Sequence, residues 1–247
     1  MGQISMKKYL LQALIFIVIF ADFVYAEECS RPVIFPLISK PLNDTGMEYA
    51  NYNWRDKTGI NQAVYKSYRI RENSSKSLIK KSYHAARDLY TDVYNDTGRY
   101  SFISSKNYVV AVSDGEVISV SNFYAGTDVV VVKHTACDGR SFILRYGELD
   151  SSSIKVKQGD KIKQGQVIGK PGFLHRKDEN GKIIPIDVIA DKIVFMLHLE
   201  YFTDVSSEEV FSKAFSNNRY DRRSDLEDCI DLLEEGHKNT FGEQVVK

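Results

Sequence analysis

From about residue 84 to 203, apolar and polar positions alternate in short runs, and turn signals close each run. Residues 108–112 form an apolar run stopped by Asp114 and Gly115. Residues 116–120 alternate, and 128–133 read as a buried strand. Cys137, Asp138, Gly139 and Arg140 form a turn, and 141–146 return as the second arm of a hairpin. In 156–169, Gly159 and Gly165 fall at turn positions, while Val156, Ile162, Val167 and Ile168 supply core. Residues 193–201 are the last strand, and the polar stretch 172–187 is a loop on the rim. Nothing in this block repeats at helical spacing. The pattern predicts a mainly β protein with a compact antiparallel core at 76–203.

The flanks differ. Residues 27–75 read as an irregular arm punctuated by Pro32, Pro36 and Pro41, with Trp54 and several Tyr available to pack it onto the core. Residues 71–81 are charged and Ser-rich, and lead along the surface into the His84 loop. Beyond 203 lies a short α-helical extension, 204–247. Ser206, Ser207, Glu208 and Glu209 have the form of a helix start, and Val210, Phe211, Ala214 and Phe215 then share one face. A second short helix is predicted over 225–235, its acidic residues forming a solvated face. At the other end, Lys7 and Lys8 precede an apolar stretch at 10–21 and a small-residue site ending at Ala26. This layout predicts a signal peptide over 1–26 and an exported, periplasmic or secreted protein that meets the membrane only during export. The rival is an uncleaved anchor, but the apolar run is short of the roughly 20 residues a crossing needs.

Composition narrows the partners. Lysine plus arginine and aspartate plus glutamate both number 33, so bulk charge gives no case for nucleic acid. The 15 Tyr and 13 Phe favour strands. An exported chain can hold a disulfide, yet its three cysteines, Cys29, Cys137 and Cys229, leave one over. A clasp between Cys29 and Cys229 is one pairing the sequence allows.

The candidate chemistry is a metal site. His84 and Asp88 lie four residues apart in Tyr-His-Ala-Ala-Arg-Asp-Leu-Tyr, and His198 sits far downstream in Met-Leu-His-Leu-Glu. Two imidazoles and a carboxylate form a three-ligand set for Zn2+, with a fourth position left for water. On a strand, His198 shares a face with Met196 and Glu200.

These residues and their surroundings resemble the lysostaphin/LytM-type zinc metallopeptidases from about Tyr83 to Tyr201. The run at 84–90 looks like the family's His-x-x-x-Asp motif, 110–117 like its strand-turn-strand, 156–169 like its glycine turn, and 196–200 like its His-x-His segment. The resemblance implies a groove that takes extended peptides, with peptidoglycan peptides as substrate and zinc as cofactor. The family has two further His residues, one in His-x-His and one in Tyr-x-His-Leu. Here Met196 and Glu148 stand in their places. The resemblance therefore implies an endopeptidase in which Glu148 is the general base. An oxyanion donor would be zinc itself, His134, His175, Tyr146 or Arg145. The rivals are a degenerate domain that binds cell wall or regulates a separate hydrolase, and a structural envelope protein without metal.

Other residues carry weaker signals. His134 reads as a hairpin-edge residue, His175 as a loop residue beside a groove, and His237 as incidental in a charged tail. Arg87 either orients Asp88 or lies on the surface, and Glu200 either fixes the His198 tautomer or is exposed. The segment 156–169 also resembles biotinyl or lipoyl carriers, but no Met-Lys pair lies in the strand region.

Overall fold

Valine-rich alternation builds one antiparallel sheet around which everything else is arranged. In the computed structural model the chain divides into two units, Met1–Ser30 and Arg31–Lys247, and the sheet belongs to the second. The structure describes residues 29–38, 54–55, 65, 68–72, 79–95, 104–186, 188–189, 192–207 and 223–242. The signal segment and the helix expected at 208–215 lie outside the described residues. No helix among the described residues is long and apolar enough to cross a membrane.

The strands are β1 (Tyr68–Glu72), β2 (Ile79–Tyr83), β3 (Arg87–Asn95), β4 (Val109–Val110), β5 (Gly115–Asn122), β6 (Asp128–Thr135) and β7 (Ser141–Leu149). They continue as β8 (Lys161–Ile162), β9 (Val167–Gly169), β10 (His175–Lys177), β11 (Ile183–Pro185), β12 (Val188–Ile189), β13 (Lys192–Phe202) and β14 (Leu226–Glu227), followed by helix α1 (Ile230–Phe241). The main sheet runs β12-β13-β7-β6-β5-β8, and β3 and β14 also pair with β13.

One face of this sheet carries the core. Leu197 and Leu199 of β13, Leu144 and Tyr146 of β7, and Val130 and Val132 of β6 lie in a single buried cluster. The opposite face presents His198, Glu200 and Arg145. Alternation along a strand produces this split.

The arm is less irregular than its prolines suggest. Ile34 N–H donates to Val112 O and Val110 N–H to Pro36 O, both at 2.8 Å. The apolar run 108–112 shares its hydrogen bonds between this arm and the glycine-turn segment, where Ala111 N–H donates to Gln166 O. Only Val109–Val110 is therefore strand, shorter than its apolar pattern predicts. Val33, Phe35, Leu37 and Trp54 are fully buried. Trp54 and Phe35 pack on each other and on His237 of α1. His237 is thus a buried part of the arm's packing and not an incidental tail residue.

Four expectations need correction. The described ends of the charged stretch 71–81 lie in the antiparallel pair β1–β2, with Arg71 opposite Lys80 and Glu72 opposite Ile79; main-chain bonds make that ladder without an apolar pattern. The rim segment 172–187 contains the hairpin β10–β11, since two short polar strands also pair through their backbones. The second helix starts at Ile230, because Leu226 and Glu227 first pair with Phe202 and Tyr201 as β14. The Cys29–Cys229 clasp does not form, because Cys229 is free and buried.

His134 provides a stability test away from the candidate site. It is fully buried, with Nδ1 3.0 Å from Ser113 O and Nε2 2.9 Å from the Tyr146 hydroxyl. Burial outweighs these bonds and lowers its pKa to about 4. The folded protein resists protonating this ring, while the unfolded chain takes the proton near the free value of about 6.5. Stability from the neutral ring is complete above that value and is lost as pH falls toward 4. The loss is about 3 kcal/mol by linkage. Urea midpoints measured from pH 7 to 4 should show this limb in the parent and not in His134→Gln. Identical slopes in the two proteins would remove His134 as its source.

Candidate metal centre

The register of β13 assembles the cluster. His198 lies opposite Asp88 of β3 on one side and Gly147 of β7 on the other. Side chains directly opposite across antiparallel strands share a face and lie close together. His84 precedes β3 beside the buried Ala85 and Ala86, and its ring centroid is 5.1 Å from that of His198.

The three nearest donor atoms form a tight triangle. His198 Nδ1 is 2.9 Å from Asp88 Oδ1, His84 Nε2 is 3.2 Å from the same oxygen, and the two ring nitrogens are 3.4 Å apart. Tetrahedral zinc with N and O ligands at about 2.0–2.2 Å requires donor separations of about 3.3 Å. The donor set therefore fits zinc in both chemistry and spacing. All three residues are buried, and together they could hold a metal ion.

The surroundings orient this triangle. His198 Nε2 lies 3.3 Å from Glu200 Oε1, and Arg145 Nη1 donates to Glu200 Oε2 at 2.6 Å. Glu200 is buried, so the reading of it as a surface residue is wrong, and its carboxylate points Nδ1 at the other donors. Burial alone would raise the Asp88 pKa, but the charges and hydrogen bonds of His84 and His198 hold it far below the carboxylate range. Burial depresses His198, yet hydrogen bonds to Asp88 and Glu200 push it up to about 9. Gly147 makes room for the ring: a Cβ there would lie 3.2 Å from His198 Cδ2 and 3.0 Å from Phe123.

Glu148 reaches the cluster through a backbone irregularity. Between the pairs Asp128–Leu149 and Val130–Tyr146, β7 has one more residue than β6. Such a bulge re-aims side chains. Glu148 has a φ of 59°, an uncommon region for a residue other than glycine. Its Oε1 comes within 3.9 Å of His198 Nδ1, and the side chain is buried.

The proposed helpers fare differently. Met196 is buried with Tyr90 and Val194 in an apolar cluster. Tyr146 and His134 bond to each other on the core face, so neither hydroxyl nor ring points at the cluster. Arg145 lies on the cluster's face but is engaged by Glu200. His175 sits in β10 against Phe173, with Nδ1 3.0 Å from Phe173 O. Arg87 neither orients Asp88 nor faces solvent. It is opposite Leu199, is buried, and binds both oxygens of Asp228 at 2.6 and 2.7 Å while donating to Trp54 O. Strand alternation turns it to the other face from Asp88.

Residues 95–194 match the model of Peptidase family M23. Over this stretch the chain is similar to that family. The matched stretch begins after Asp88 and ends before His198, so the metal cluster rests on the geometry above. Among curated proteins, Stage II sporulation protein Q of Bacillus subtilis (strain 168) is 28% identical over 171 residues, covering 63% of this chain. The chain spans only 58% of that relative's length. Among solved structures, the catalytic domain of lysostaphin from Staphylococcus simulans aligns at 21% identity and a TM-score of 0.38, covering 69% of this chain and 89% of that one. A SpoIIIAH–SpoIIQ complex aligns at 24% identity and a TM-score of 0.30, covering 55% and 71%.

Proposed function

We propose that this exported M23 domain holds zinc with His84, Asp88 and His198 and binds an extended peptide of the cell wall or of a partner protein, with its hydrolytic capacity degenerate. The buried, apolar environment of Met196 carries this reading. The resemblance puts a His there, and a thioether donates no hydrogen bond to an oxyanion. None of His134, Tyr146 and Arg145 replaces that donor, because two face the core and the third is bound to Glu200. Losing one oxyanion donor costs about a hundred- to a thousandfold in rate. A protein partner falls within the same proposal, since the related SpoIIQ was solved with SpoIIIAH.

Bound zinc would polarise a peptide carbonyl and acidify water. The chain's own residues would fix the ligands and place a carboxylate beside them. A second reading, zinc endopeptidase of peptidoglycan, is favoured by Glu148, whose left-handed backbone brings a proton-accepting carboxylate to the cluster. Purified zinc-loaded protein incubated with cell wall separates the two. Sedimentation with intact wall and no release of free amines supports the binding reading. Rapid amine release that collapses in Glu148→Gln establishes the endopeptidase.

Glu200 offers an independent test of the metal. Glu200→Gln keeps the shape of the side chain but weakens the hold on the His198 tautomer. Zinc affinity in competition with a chelating dye should fall about 10- to 100-fold. Unchanged affinity would mean that His198 does not bind zinc through Nδ1.

A further inference from the structure

Two strands share one edge of β13, end to end. β14 pairs with Phe202 and Tyr201, and β3 begins beyond Glu200, with Arg87 opposite Leu199. β7 fills the other edge over the same residues. The seam between β14 and β3 therefore falls at Glu200, whose carboxylate holds His198 Nε2. Both sides of the seam carry a charge: Arg87 opens β3, and Asp228 follows β14 directly. Arg87 is buried, and its Nε and Nη2 donate to Asp228 Oδ1 and Oδ2 at 2.6 and 2.7 Å. It also donates to Trp54 O. A guanidinium that makes two parallel bonds to one carboxylate is fixed in direction as well as in distance.

This clamp acts on the stretch that joins two of the three metal donors. His84, Ala85 and Ala86 lie outside any strand, so no ladder fixes the chain between the first donor and β3. Of the residues between His84 and Asp88, only Arg87 has a polar side chain. Adjacent residues of a strand face opposite ways, so holding Arg87 against the core turns Asp88 toward His198. Asp228 is itself anchored. Its Oδ1 accepts from Ile230 N–H at 3.1 Å where α1 begins, and Cys229 Sγ lies 4.0 Å from Leu199 O. Further along α1, Glu235 binds Arg140 at 2.6 and 2.8 Å. Asn239 Nδ2 donates to Val33 O and Phe35 N–H to Thr240 Oγ1, both at 2.8 Å. The C-terminal extension thus reaches the ligand strand through one carboxylate.

We propose that Asp228 is a positioning residue for the metal cluster: through Arg87 it closes the seam, so that the C-terminal extension sets how His84 and Asp88 meet His198. The proposal rests on the zinc reading above. Full-length parent and variants are titrated with Zn2+ against a chelating dye, and the imidazole NMR signals of His84 and His198 are recorded without metal. Asp228→Asn keeps an acceptor for Ile230 N–H but removes the charge that holds Arg87. It should lower zinc affinity about tenfold, the lower end of the effect of residues that orient metal ligands, and shift both imidazole signals. Glu235→Gln breaks the ion pair of α1 that lies away from the seam, and should leave affinity and signals at the parent values. Arg87→Gln and the double variant Arg87→Gln/Asp228→Asn should lose about as much as Asp228→Asn, because two groups acting as one clamp are not additive. The double variant leaves no buried guanidinium without its counter-charge, so it carries the test if Asp228→Asn alone fails to fold. Parent affinity in the double variant, an equal loss in Glu235→Gln, or additive losses in the two single variants overturns the clamp. Shifted imidazole signals in a protein that takes up no zinc uphold the positioning and overturn only the metal assignment. Zinc uptake that the seam variants do not change overturns the positioning alone.

Discussion

Met196→His is expected to raise peptide-bond hydrolysis by about a hundred- to a thousandfold over the parent chain. The argument begins with strand geometry. Residue 196 lies two positions before His198 and shares its face, so a ring at 196 sits beside the cluster. Met196 fills this place with a thioether packed against Tyr90 and Val194. Histidine has less volume than the pocket now holds, and its ring nitrogen adds a donor where charge develops during attack on a carbonyl. Glu148 remains available as proton acceptor, because its position comes from the β7 bulge and not from Met196. Adding Glu148→Gln to the variant should then abolish the gain. Met196→Leu controls for repacking and should leave the rate at the parent level. The proposal of a degenerate domain fails if the parent already hydrolyses wall peptides rapidly and Met196→His adds nothing.

Much of this arrangement was legible in the sequence, and the rest was hidden for definable reasons. Valine-rich alternation and glycines in turns depend on local chemistry, so β5, β6, β7 and β13 appear close to their predicted places. The turns at Gly139, Gly159 and Gly165 all have positive φ, as turn glycines should. His84, Asp88 and His198 could be named because their residue types suit a metal. Their convergence depends on the pairing of β13 with β3, which no local pattern encodes. Register also hid the Glu148 bulge, which requires knowing both strands at once. Strand parity could have exposed two errors. Tyr146 is two residues from Leu144, which implies the core face, and Arg87 is adjacent to Asp88, which implies the opposite face. Glu200 was correctly placed on the His198 face, but its burial depends on the ion pair with Arg145. Charged segments misled because β1–β2, β10–β11 and β14 are held by main-chain bonds, which composition does not report.

Asp88→Asn should reduce zinc affinity by more than about a hundredfold, and the zinc content of protein purified at low metal should fall from one ion per chain to a small fraction. Structural zinc sites with four ligands yield roughly 10–16 kcal/mol, so one ligand accounts for roughly 3 kcal/mol or more. Asparagine preserves the shape and accepts hydrogen bonds from both rings, but it lacks the negative charge that offsets the metal. The fold should persist, because Arg87, Leu89 and the β3–β13 ladder do not depend on that charge, and circular dichroism verifies this. The pH dependence in the parent provides a second measure of the same site. Without metal, His198 keeps its proton up to about pH 9, held by Asp88 and Glu200. Zinc must displace that proton, so apparent affinity should rise with pH, by about tenfold per unit when one proton is released, and level off near 9. In Asp88→Asn the imidazole loses its main anionic partner and releases its proton at lower pH, so the rise should level off earlier. Zinc binding that is indifferent both to this substitution and to pH would place the ion away from the triangle of His84, Asp88 and His198.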